Sequence, residues 1–204
     1  MIDAALVVER GPVADDALLQ WSSPADDFPG ARRCSLVARA LLRRMLVHVT
    51  GTPPEDWTFE VEPSGRPIAC NPRCDRIPPI SLSHSGGWIA CAVTSAAAVG
   101  IDIEVHSPRR NFTKIAAAAF GPKEQQRVAG EGEAGFYRIW TLKEAMAKAS
   151  GVGIVQVADR TDRVAKGPKE GVWRASIGVT PWWLTHTTPV SGLSLAVAIL
   201  GIGL

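Results

Sequence analysis

Seven consecutive residues, Val99-Gly100-Ile101-Asp102-Ile103-Glu104-Val105, constrain this chain more than any other stretch. Val99, Ile101, Ile103 and Val105 fall on alternate positions. A period of two predicts a strand whose apolar side packs inward. Asp102 and Glu104 then project together from the other side, with their Cα atoms about 6.5–7 Å apart. Two carboxylates held that close repel each other unless a cation sits between them. A hard, oxygen-seeking ion such as Mg²⁺ suits such a pair, together with waters and substrate phosphates.

A second patterned stretch begins 36 residues beyond Glu104. Trp140-Thr141-Leu142-Lys143-Glu144-Ala145-Met146-Ala147-Lys148 is rich in Ala, Leu, Met, Glu and Lys, which predicts a helix. Trp140, Glu144 and Lys148 are spaced i, i+4, i+8 and share one face. Each stretch alone has an ordinary reading. Asp102 and Glu104 fit the wet face of an edge strand, and Glu144 with Lys148 fits an exposed ion pair.

In combination they say more. Gly-Ile-Asp-Ile-Glu followed by Trp-Thr-Leu-Lys-Glu-Ala-x-x-Lys resembles the two-part signature of the 4′-phosphopantetheinyl transferases, in particular the monomeric type that activates peptide and polyketide synthetases. The resemblance implies an α+β pseudo-dimer of two similar halves with the active site in the cleft between them. Residues 1–98 would contact the nucleotide of coenzyme A, and residues 99–204 would carry the Mg²⁺-binding and catalytic motifs. By the same resemblance Asp102, Glu104 and Glu144 hold Mg²⁺, and Glu144 and Lys148 are catalytic. The implied reaction moves phosphopantetheine from coenzyme A to a serine of an apo acyl or peptidyl carrier protein and releases 3′,5′-ADP. A serine hydroxyl needs a base; Glu144 is the candidate, directly or through a metal-bound water, and Lys148 would stabilise or protonate the leaving group. Two other classes fit part of the pattern: a catalytically silent coenzyme A or carrier-protein binding module, and a Mg²⁺-dependent phosphodiester hydrolase.

Composition narrows the setting. The chain has 204 residues, 46% hydrophobic and 21% charged, with a formal net charge of +2. That balance is ordinary for a globular protein and does not suggest nucleic-acid binding. No apolar run reaches membrane-spanning length, and the N-terminus lacks a basic-then-apolar signal segment. The expectation is a cytoplasmic protein with no membrane partner, and the resemblance implies a monomer. Cys34, Cys70, Cys74 and Cys91 form no zinc pattern and read as free thiols.

Taken in order, Ala4–Val8 reads as a strand, followed by a short helix and loop through Pro12, Pro24, Pro29 and Gly30. Residues 31–49 form a helix with Leu36, Val37, Ala40, Leu41, Met45 and Val49 as its apolar stripe. Arginines near the start of that helix hold the 3′-phosphate of coenzyme A in the family, which makes Arg32 and Arg33 candidates here. Residues 51–79 are proline-rich loop around a short strand at 58–61. The turn Ser64-Gly65-Arg66-Pro67 resembles the family loop against the nucleotide, so Arg66 is assigned to coenzyme A. Two strands follow, joined through Gly86-Gly87. The first carries Ser83-His84-Ser85-Gly86, matching the family's Ser-His-Ser-Gly, and the resemblance assigns Ser83 and His84 to coenzyme A; Lys143 is assigned there too. Residues 115–128 read as a helix interrupted at Gly121-Pro122, and Phe120 and Glu124 match the family's Phe-x-x-x-Glu. Arg109, Arg110, Lys114 and Lys123 near this segment could meet an acidic carrier helix; a polar surface loop reads equally well. Strands are expected at 172–177 and 193–200, with Trp173, Trp182 and Trp183 in the core.

Overall fold

The computed structural model describes residues 7–10, 17–22, 31–63 and 65–200, with side chains from Leu36 onward. The expected strand residues Ala4–Leu6, and the side chains of Arg32, Arg33 and Cys34, lie outside the described residues. The chain forms two principal antiparallel sheets, a small hairpin and four helices among the described residues.

The first sheet contains β1 (Val7–Arg10), β2 (Ala17–Ser22), β5 (Ile80–Ser85) and β6 (Trp88–Thr94), in the order β1-β2-β6-β5. β5 and β6 are joined by Gly86 and Gly87, at φ +55° and +85°. Two successive positive φ values suit a tight hairpin that matches strand twist, and glycine adopts them without steric cost. Helix α1 (Ala31–Thr50) covers one face of this sheet. Its Leu41, Leu42, Met45 and Leu46 pack on Ile80, Ile89, Cys91 and Val93.

The second sheet contains β7 (Val99–Val105), β8 (Ala165–Lys166), β9 (Val172–Ile177), β10 (Thr180–Thr187) and β11 (Leu193–Leu200), in the order β7-β11-β10-β9-β8. β7 alternates as its sequence predicts. Val99, Ile101 and Ile103 face the first sheet and pack with Ala90, Ala92, Leu195 and Val197. The other face of the sheet, through Leu184, Ala196 and Ala198, meets Leu142, Ala145 and Met146 of the long helix α3 (Pro122–Ser150). Helix, sheet, sheet and helix thus stack in layers, and burial of side chains such as Leu142 and Met146 contributes about 1.5–3 kcal/mol each. Helix α2 (Phe112–Ala119) precedes α3, and the short α4 (Ile154–Val157) follows it. α3 is broken at Gly132, whose φ of +63° and ψ of −141° are not helical.

Three local expectations change. Residues 17–22 are a strand rather than a short helix, because β6 has an open edge and pairs with them from Ala17↔Thr94 to Ser22↔Ile89. Pro181, Trp182 and Trp183, given no element from sequence, belong to β10, which pairs on both sides, with β9 and β11. Pro67–Cys70, expected as loop, is β4, paired with β3 (Thr58–Val61).

Candidate active site

The site lies where α3 crosses β7. Close approach is possible because β7 carries Gly100 on the helix-facing side. A Cβ there would stand 1.9 Å from the Ala145 carbonyl oxygen and 2.5 Å from the Ala149 amide. The next helix-facing residues, Asp102 and Glu104, therefore meet the Trp140–Glu144–Lys148 face of α3 directly.

Asp102 is 4% exposed. Its Oδ1 accepts from Lys148 Nζ at 2.7 Å and from Ser83 Oγ at 2.9 Å. Its Oδ2 is buried without a partner. Burial holds this carboxyl above its usual range, against the pull of the Lys148 ammonium. Glu104 is held at both oxygens. Oε1 accepts from Trp140 Nε1 at 3.2 Å and faces the Arg110 guanidinium at 3.2 Å, and Oε2 accepts from Ser85 Oγ at 3.1 Å. Glu144 is half-buried beside them. Burial first, then the nearby Asp102 and Glu104 carboxylates, push its carboxyl up to about 7.

Glu144 and Lys148 form one wall of a cavity of about 320 Å³. Arg66 and Pro67 line it, as do Ser81 and Leu82 of β5 and Gly151 and Gly153 after α3. Gly151 ends α3 at φ +74°, and the Arg66 guanidinium passes over it. The structure thus brings together Arg66, Asp102, Glu104, Glu144 and Lys148 of the residues predicted from sequence.

It sends others elsewhere. Lys143 is fully buried and does not line the cavity. Its Nζ lies 2.7 Å from Glu124 Oε2 and donates to the carbonyls of Ala119 and Thr161. Glu124 also accepts from the amides of Gly121, Arg163 and Val164. One residue along a helix is about 100° around it, so Lys143 points away from the face that presents Glu144. Ser83 stays with the site: it is buried, donates to Asp102 and accepts from Lys148, but does not line the cavity. His84 is exposed at the end of β5 and does not line the cavity. Arg110, read as a surface charge, is turned inward to Glu104 and over the Tyr137 ring.

Some site residues had no role in the sequence reading. Ser85 and Gly100 are the clearest. A serine at every second position of β5 and a glycine inside an alternating strand were the available signals.

Asp102, Glu104 and Glu144 are chemically suited to a hard cation: all their donors are oxygen, and Asp102 Oδ2 is buried and unsatisfied. In this conformation the three are not gathered around one point, and no cluster of three or more His, Cys, Asp or Glu side chains among the described residues forms a metal cage. The Lys148 ammonium stands against Asp102 instead.

Residues 98–198 match the family model described as the 4′-phosphopantetheinyl transferase superfamily. The 4′-phosphopantetheinyl transferase HetI of Nostoc sp. is 31% identical over 181 residues, 86% of this chain and 74% of HetI. The 4′-phosphopantetheinyl transferase psf-1 of Bacillus pumilus is 37% identical over 130 residues, 61% of this chain and 52% of psf-1. A 4′-phosphopantetheinyl transferase of Bacillus subtilis is 33% identical over 125 residues, 59% of this chain and 53% of that protein. The matched segment runs from the start of β7 through α3 to β11, so the likeness covers the elements that carry the carboxylates and Lys148, and the chain belongs to the 4′-phosphopantetheinyl transferase superfamily, a family of transferase enzymes.

Proposed function

We propose that this chain transfers 4′-phosphopantetheine from coenzyme A to a serine hydroxyl of an apo acyl or peptidyl carrier protein, with Mg²⁺, releasing 3′,5′-ADP. The observation that carries this reading is the meeting of Asp102, Glu104, Glu144 and Lys148 beside a cavity that Arg66 also lines. Residues 1–98 and 99–204 would act as the two halves of a pseudo-dimer, each supplying one sheet, with coenzyme A between them. Among the described residues no helix is long and apolar enough to cross a membrane; a cytoplasmic location and a monomeric state are part of the same proposal.

Arg66 binds the nucleotide end of the donor through its guanidinium. Arg32, Arg33 and His84 remain candidates for its phosphates. Asp102, Glu104 and Glu144 would hold Mg²⁺, which when bound offsets charge on the pyrophosphate. The carrier serine Oγ attacks the phosphorus that bears the pantetheine arm, and the bond from that phosphorus to the ADP oxygen breaks. Glu144 takes the hydroxyl proton. Lys148 stabilises the leaving phosphate as its charge develops. Ser83 and Asp102 orient the ammonium until then, at 2.8 and 2.7 Å.

The test is incubation with coenzyme A, Mg²⁺ and a panel of purified apo carrier proteins, followed by intact mass. A carrier that gains one phosphopantetheine arm supports the reading. Coenzyme A binding with no carrier modified across the panel would overturn it in favour of a binding module, and cleavage of phosphodiesters without a carrier would favour a hydrolase.

A further inference from the structure

The two sheets meet through a row of serine hydroxyls. β5 and β7 are edge strands of their sheets. The Ile101 amide donates to Ser81 Oγ at 3.0 Å, and the Val105 amide donates to Ser85 Oγ at 3.1 Å. Both pairs are separated by 20 residues, so the two strands run parallel in one register. Ser83, between them, gives its proton to Asp102, and Ser85 gives its proton to Glu104, each 19 residues on.

Ser85 therefore has two tasks. Its lone pair satisfies an edge amide, as that of Ser81 does. Its single proton is aimed at Glu104 Oε2, and among the described residues Ser85 is the donor found at that oxygen. Trp140 and Arg110 restrain only the other oxygen. A glutamate has three side-chain torsions, and fixing one carboxylate oxygen leaves the group free to rotate about that point. Ser85 removes the rotation.

We propose that Ser85 is a positioning residue for Glu104, setting the carboxylate plane that Glu104 presents to the metal. The proposal rests on the reading of Glu104 as a metal ligand. Hydrogen-bond partners of metal ligands typically change metal affinity by about 10–100-fold when removed. Val197 of β11 is the control, because it is buried between the two sheets and lines neither the cavity nor a carboxylate.

The experiment titrates Mn²⁺ into the protein with saturating coenzyme A, reading free Mn²⁺ by electron paramagnetic resonance, with thermal melting in parallel. S85A is expected to weaken Mn²⁺ by about ten-fold or more. S85T, which keeps the hydroxyl, should restore it. V197A should lose stability, as S85A does, and keep wild-type Mn²⁺ affinity. E104Q reports on the underlying reading. Weakened binding in E104Q with wild-type affinity in S85A would overturn the positioning role alone. Wild-type affinity in both would overturn the metal reading and the positioning role together. Equal weakening in V197A and S85A would make the effect one of sheet docking and overturn the proposal.

Discussion

Replacing Gly100 with alanine should damage catalysis without touching a charged group. The added Cβ would stand 1.9 Å from the Ala145 carbonyl oxygen, where a carbon–oxygen contact needs about 3.3 Å or more. Either the helix or the strand must retreat, by roughly 1.4 Å along that line. Neither can yield by a side-chain rotation, because the opposing atoms are backbone of α3. Overpacking of this kind costs about 1–3 kcal/mol. The functional cost is larger. Asp102 and Glu104 ride on β7, while Glu144 and Lys148 ride on α3, so the shift opens the distance between the two groups. A misplacement of about 1 Å can lower a rate by about 10²-fold. Urea denaturation and single-turnover conversion of an apo carrier protein would measure both effects on one preparation. A G100A variant with wild-type stability and rate would refute the argument that this glycine sets the separation of strand and helix.

Lys143→Met should lose about 3–5 kcal/mol, because it strands the Glu124 carboxylate in a fully buried position. Calorimetry on the folded fraction should find coenzyme A affinity unchanged, and a large loss of affinity would return Lys143 to the donor site. Glu144→Gln should lower the single-turnover rate by about 10²–10⁴-fold, and Lys148→Ala by about 10²–10³-fold; wild-type rates in both, followed by intact mass, would remove this helix from the chemistry. Burial, with Arg138 and His106 nearby, pushes His186 down from 6.5 to about 4. The unfolded ring takes up a proton first, so the stability present above pH 6.5 is lost as pH falls towards about 4. His186→Gln should flatten that part of the profile, checked by urea melts at steps between those two values.

The core of the site was legible because its two halves are each local in sequence. A period of two around Asp102 and Glu104, and a period near 3.6 through Trp140, Glu144 and Lys148, place each set on one face whatever the rest of the chain does. Which residues share a face is local; what that face meets is not. Lys143 sits beside Glu144 in sequence, yet its partner Glu124 comes from the first turn of the same long helix, across the break at Gly132. Ser83 lies in a motif assigned to the donor, but its neighbour is fixed by the docking of β5 on β7, which no strand pattern reveals. β10 was hidden for the same reason: Trp182 and Trp183 read as core without an element of their own, and only pairing with β9 and β11 makes them part of a strand.

The hydroxyl seam between β5 and β7 also bears on how the protein can be divided. Each strand is the unpaired border of its own sheet, and each is covered by the other. Cutting the chain between Ala98 and Val99 would give two fragments of sensible size, each with a bare strand border and an apolar sheet face, Ala90 and Ala92 on one and Ile101 and Ile103 on the other. Such borders template pairing with any similar chain. Co-expressed fragments would therefore compete between reassembly and aggregation, and a split reporter built at this junction would work only if the two pieces were produced together and held close from the start.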